Sequence, residues 1–99
     1  MSKYIKFRNH YFRKDEVTGL SVLKQDGRVK WILTLTYTEP HINHFGLFTA
    51  RKQVDFGYDA TFNEIDKQLM KDIKYIRNNC DYCEFDTETN HILRQLNKE

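Results

Sequence analysis

Proline, glycine and cysteine are all scarce in this chain of 99 residues, with one, four and two copies, and each scarcity removes a class of protein. So little Pro and Gly excludes a collagen-like or Pro-rich scaffold, and no Gly/Ser tract marks a linker. Two cysteines are too few for the disulfide framework of a small secreted domain, and a reducing cytosol leaves them to metal or to the core. No apolar run approaches the roughly 20 residues of a membrane span, and the start, Met1-Ser2-Lys3-Tyr4-Ile5-Lys6, lacks the apolar stretch of a signal peptide. Also missing are a Gly-rich phosphate loop, a nucleophile motif and paired carboxylates on one face. These absences lead us to expect a non-enzymatic cytoplasmic protein.

What the chain does have is bulky core material: seven Phe, six Tyr and one Trp, enough for one modest core. The expected organisation is one domain over 1–99, with a β-rich part at 1–57 and a helical part at 58–99. Charge is divided between the two ends. Residues 1–30 carry eight basic against three acidic side chains, residues 58–99 six against nine, within a net charge of +2.

Asp26-Gly27 reads as a two-residue hairpin turn, which would pair Lys24 with Val29, Val22 with Trp31 and Leu20 with Leu33. Val29, Trp31, Leu33, Leu35 and Tyr37 alternate with Lys30, Ile32, Thr34 and Thr36, the period of a strand with one buried face. Ile5 and Phe7 suggest a first, basic edge hairpin turning at Asn9-His10. Pro40-His41-Ile42-Asn43-His44 reads as a loop leading into a strand over 45–56, with a bulge at Gly46. Between 61 and 79, Phe62, Ile65, Leu69, Ile73 and Ile76 recur at helical steps, with a capping box over Thr61–Glu64 and a left-handed cap at Asn78-Asn79. Glu84-Phe85-Asp86 reads as a short extended piece, followed by a last helix carrying Ile92, Leu93 and Leu96. The fold expected is α+β: an antiparallel sheet of four to five strands, one long amphipathic helix packed on it, and a short C-terminal helix.

Cys80-Asp81-Tyr82-Cys83 and His41-Ile42-Asn43-His44 share the two-residue gap with which soft ligands close on a tetrahedral ion. If the helix returns across the sheet, Cys80, Cys83, His41 and His44 converge on a structural Zn²⁺, with His10 or His91 as substitutes. Against this, His-x2-His is uncommon in structural zinc sites, and small buried cysteines with surface histidines account for the same residues. A redox Cys-x2-Cys opens a helix, whereas this one closes it.

Lys67, Lys71 and Lys74 recur at helical spacing beside the apolar stripe, either as a solvated face or as contacts for an acidic partner or a phosphate backbone. In the first hairpin, Arg8 and Arg13 stand among Tyr4, Phe7, Tyr11 and Phe12, a pattern that serves nucleic acid as well as it serves a core. Edge lysines also guard against sheet-to-sheet aggregation.

A short chain rich in Lys, Asn, Ile, Tyr and Phe, nearly without Pro, and built as sheet plus helix resembles the small accessory proteins of phages and mobile elements of low-GC Gram-positive bacteria, the anti-CRISPR proteins among them. That resemblance implies an inhibitory binding protein in the host bacterial cytosol, docking on a bacterial nuclease and blocking nucleic-acid loading or activation. Arg8, Arg13, Lys67, Lys71 and Lys74 would then contact the partner. The alternative is a small nucleic-acid-binding regulator using the basic N-terminal hairpin.

Overall fold

A computed structural model describes residues 3–80 and 87–97. Seven elements follow in order: β1 (Tyr4–Phe7), β2 (His10–Arg13), β3 (Val17–Lys24), β4 (Val29–Asn43), β5 (Gly46–Asp59), α1 (Ile65–Asn79) and α2 (Thr87–Asn97). The strands form two antiparallel sheets, β1-β2 and β3-β4-β5, where the sequence suggested one sheet of four to five strands. The physical reason is that alternation in β1 and β2 demands only a covered face. That cover comes from lying flat on the larger sheet: Phe7 meets the Phe56 ring edge-on at 4.7 Å and Phe12 meets Tyr37 at 5.2 Å. Ile5, Phe7 and Phe12 are buried there without an edge-to-edge ladder. The helical part also differs from a single dominant helix, since α1 has 15 residues and α2 has 11.

The result is two layers. One is the three-stranded sheet; the other is α1, α2 and the β1-β2 hairpin, all on the face formed by Leu20, Val22, Trp31, Leu33, Leu35, Phe56 and Tyr58. The apolar stripe of α1, Ile65, Leu69, Ile73 and Ile76, completes the core. Phe62 is exposed and stands outside this stripe, because the helix begins only at Ile65.

Local details depart from expectation in instructive ways. Observed pairs are Lys24↔Trp31, Val22↔Leu33 and Leu20↔Leu35, two residues from the two-residue turn, with Gln25 N–H donating to Lys30 C=O at 2.8 Å. A shift of two preserves the faces, so the buried set is unchanged. In the first hairpin the positive φ values fall on Arg8 (46°) and Asn9 (72°), one residue earlier than expected, as a twisted two-residue turn requires. Thr61 supplies no helix cap: α1 starts after Glu64 without a side-chain cap, and Thr61 N–H donates to Asp59 Oδ1 at 2.9 Å. Cys80 is extended at the other end (φ −111°), so Asn78-Asn79 makes no left-handed cap. Glu84-Phe85-Asp86 lies outside the described residues.

The largest departure is the segment read as a loop at 40–44. β4 runs through it to Asn43, and β5 follows after a turn at 44–45, with Gly46 at φ 118°. Pro40 is tolerated because Thr38 N–H, pointing the same way, leaves the sheet to meet Glu16 C=O at 2.9 Å. Beyond Val17↔Tyr37 no strand among the described residues lies on that side, so proline deletes no ladder bond there. Five residue pairs, Glu39↔Ala50 to Asn43↔Gly46, thus extend as a bare two-stranded finger, about 16 Å long at strand rise. The molecule measures 50 × 31 × 27 Å with a radius of gyration of 15.0 Å, against about 13 Å for a compact chain of this length.

Candidate functional site

Where α1 leaves the sheet, a β-bulge displaces the register between Val29 and Trp31. Successive strand residues normally face opposite ways, but here Lys30 and Trp31 both reach the first turn of α1. Trp31 Nε1 donates to Asp66 Oδ1 at 2.7 Å and Lys30 Nζ to Asp66 Oδ2 at 2.9 Å. Partial desolvation pushes the Asp66 carboxyl up, but the Trp31 and Lys30 hydrogen bonds and the Lys30 charge outweigh it and hold its pKa below the usual carboxylate value. An ionised Asp66 also suits the positive end of the helix. This clamp fixes the start of α1.

A second clamp lies a turn and a half along. Tyr58 O–H donates to Asp72 Oδ2 at 2.6 Å while Gln68 Nε2 holds Oδ1 at 2.8 Å. Burial first, then the bond to Asp72, raises the Tyr58 pKa far above the ordinary phenol value. Arg8 lies over the Tyr58 ring at 4.3 Å and donates Nη1 to Gly57 C=O at 3.0 Å.

With α1 anchored at Asp66 and Asp72, its outward side is set. Lys67, Lys71 and Lys74 form one row beside α2, rimming a groove of about 680 Å³ whose lining includes Met70 and Leu96. Lys67 is held only loosely by Glu64 at 3.5 Å, with both side chains largely exposed. Lys71 and Lys74 have no ion pair among the described residues. The three lysines are therefore brought together as the sequence spacing implied, and the apolar floor between them is what sequence alone did not reveal, because Leu96 comes from the other helix.

The N-terminal cations are placed differently. Arg8 is spent on Tyr58 and Gly57, and Arg13 lies 3.2 Å from Asp15 and 3.8 Å from Glu16. Phe7 and Phe12 are core, which leaves Tyr4 and Tyr11 as the exposed rings of that hairpin.

Of the four residues nominated for zinc, Cys83 lies outside the described residues. His41 is on β4, its ring stacked on Phe48 at 5.5 Å and its Nε2 3.6 Å from Glu39 Oε2, while His44 sits in the turn at the end of the finger. Cys80 is half-buried against the core at the end of α1. His41, His44 and Cys80 are not gathered, and among the described residues no three His, Cys, Asp or Glu side chains form a group able to hold a metal ion. His10 stacks on Phe12, and His91 pairs with Gln95 on α2.

The apolar finger was missed as well. Ile42, Phe45, Leu47 and Phe48 are exposed by 84, 98, 73 and 46 %, a cluster of large apolar groups at one extremity. Its signal was present in the sequence as a continuation of strand alternation across Pro40, hidden by the usual reading of proline as a breaker. Among the described residues no helix is long and apolar enough to cross a membrane. Comparison with protein-family models, characterised proteins and solved structures finds no match to this chain.

Proposed function

We propose that this chain is a binding protein that docks an acidic, partly apolar segment of a partner protein in the groove between α1 and α2. The observation that carries the reading is the row Lys67, Lys71 and Lys74 over the Met70–Leu96 floor. Three cations beside buried apolar area suit a carboxylate-bearing amphipathic segment, which gains both charge pairing and burial. A phosphate backbone fits less well, since it has no apolar side chain to bury on the Met70–Leu96 floor. The engagement of Arg8 and Arg13 inside the molecule also favours this reading over the basic-hairpin regulator.

The partner class is a bacterial nuclease, and the effect is inhibition by occupying its nucleic-acid-loading or activating surface; this part rests on the resemblance to phage accessory proteins. The test uses purified RNA-guided nucleases, free and guide-loaded. The expected outcome is a complex that blocks cleavage with the wild-type chain and is lost in the triple variant K67E/K71E/K74E, whose circular dichroism and melting stay unchanged because these side chains lie off the core stripe. The outcome against it is tight, steeply salt-dependent binding to naked DNA or RNA that disappears in R8A/R13A, with no protein complex.

A further inference from the structure

The two outer edges of the large sheet are finished differently. On β3 the outward Val22 N–H is capped by the buried Thr89 hydroxyl of α2 at 3.1 Å, so a helix closes that edge. On β5 no strand pairs with the outer edge among the described residues. The outward set there follows from the ladder. Thr38 N–H points away from β5, so Tyr37, Glu39 and His41 bond to β5, and their partners Lys52, Ala50 and Phe48 face β4. Leu47, Thr49, Arg51, Gln53 and Asp55 therefore present both backbone groups outward. Gly57 C=O, next in that series, is the one taken by Arg8.

The side chains of this outward set share the face opposite α1 and α2, which no described helix covers, and along it the sequence reads Arg51, Gln53, Asp55. That pattern is complementary to itself when reversed. We propose that β5 pairs antiparallel with β5 of a second copy about a two-fold axis at Gln53, joining two three-stranded sheets into one of six strands. Centring on Gln53 sets Arg51 opposite Asp55 of the second copy, twice. Centring on Arg51 opposes two arginines, and centring on Lys52 opposes two lysines; one step the other way, at Val54, separates the Arg–Asp partners. Arg51 has no ion pair among the described residues, and Asp55 accepts from Thr34 Oγ1 at 2.7 Å with its second oxygen open to a further donor.

The same register places Phe48 of each finger opposite Tyr58 of the second copy, on the helix-bearing face. Beside Tyr58 lies a notch of about 490 Å³ whose lining includes Arg8, Phe62, Ile65 and Gln68. Phe62 is itself 66 % exposed. One symmetric contact thus pairs an open strand edge, matches two opposite charges twice and brings the half-exposed Phe48 ring toward that notch. This surface shares no lysine with the α1–α2 groove.

Sedimentation velocity of the whole chain, from low to high micromolar concentration, tests the proposal. Wild type should sediment as a dimer, and R51D should weaken association roughly tenfold or more through two lost and two repulsive pairs. D55R should do the same. Mixing R51D with D55R restores both pairs in a heterodimer, and the double variant R51D/D55R restores them in a homodimer. Q53P should abolish the dimer without unfolding the monomer, since the Gln53 N–H it removes points away from β4 and meets no partner strand among the described residues, and this keeps the test decisive if D55R disturbs the Thr34 bond. Monomeric wild type at every concentration overturns the proposal, as do single variants that stay dimeric or a mixture that stays monomeric.

Discussion

Between Val29 and Thr38 the side chains of β4 that face the helices are Trp31, Leu33, Leu35 and Tyr37; between Glu39 and Asn43 they are Glu39, His41 and Asn43. The opposite face changes the other way, from Ile32, Thr34, Thr36 and Thr38 in the lower half to Pro40, Ile42 and, on β5, Thr49 and Leu47 in the upper. One ladder, continuous from Trp31 to Asn43, therefore carries two programmes. The lower half is apolar toward α1, α2 and β1-β2 and owes its stability to them. The upper half turns largely polar on that side, with Glu39 and Lys52 paired at 2.7 Å and Phe48 stacked on His41, and exposes Ile42 and Leu47 away from it. Strand pairing alone sustains the finger, whereas burial sustains the base.

The largest effect that separates the halves belongs to the base. Trp31→Ala should cost about 3 to 5 kcal/mol and Leu69→Ala about 2 to 5 in chemical denaturation, since both leave cavities in a sealed layer. Trp31 additionally releases Asp66, so its variant should also fray the start of α1, seen as lost amide-exchange protection there. Near-neutral values at both positions would remove the claim that the helices hold the base.

Next in size is the bond that ties β5 to α1. Tyr58→Phe keeps the ring and deletes the hydroxyl donor to Asp72, a hydrogen bond to a carboxylate worth about 1.5 to 3 kcal/mol. Its pH dependence has a definite sign. The Tyr58 pKa is raised on folding, so its stabilisation is full below the unfolded value of about 10 and is lost as pH rises beyond it, where only the unfolded chain ionises. Wild type should lose stability above that pH more steeply than Tyr58→Phe. Equal slopes would mean that the phenol is not held protonated by this contact.

How far the fold was legible follows from the same physics. Faces were readable: Trp31, Leu33 and Leu35 are buried as alternation implied, and Leu69, Ile73 and Ile76 as helical spacing implied. Registers and layers were not. Asp26-Gly27 suited a two-residue turn, yet the β3-β4 pairing is displaced by two, and on the β5 side a bulge at Lys30 lets both Lys30 and Trp31 grip Asp66, the Trp31 bond joining residues 35 positions apart. Likewise, nothing local tells Ile5 and Phe7 whether to add a strand to the sheet or to lie across it. Of the candidate sites, the lysine row was legible because it belongs to one helix. The segment holding the His pair was misread as a loop, since His41 continues a strand whose outer edge has, among the described residues, no partner for Pro40 to offend.

The smallest expected effect is the sharpest measure of the contrast. Ile42 is 84 % exposed and pairs with Leu47 on a face of the finger that none of the described residues covers. Ile42→Ser removes no buried area and no ladder bond, so the melting midpoint of the monomer should move by no more than about 0.5 kcal/mol equivalent, the range for surface substitutions. The comparable cut in the base, Leu33→Ser, should cost several-fold more, because Leu33 is fully enclosed and a hydroxyl there would lack a partner. The pair should be measured in the Q53P background, where any association through β5 is blocked and only the chain's own packing is read. A loss at Ile42 approaching that at Leu33 would mean that the finger folds back onto apolar cover in solution, and the division of the hairpin into a buried base and a bare tip would have to be abandoned.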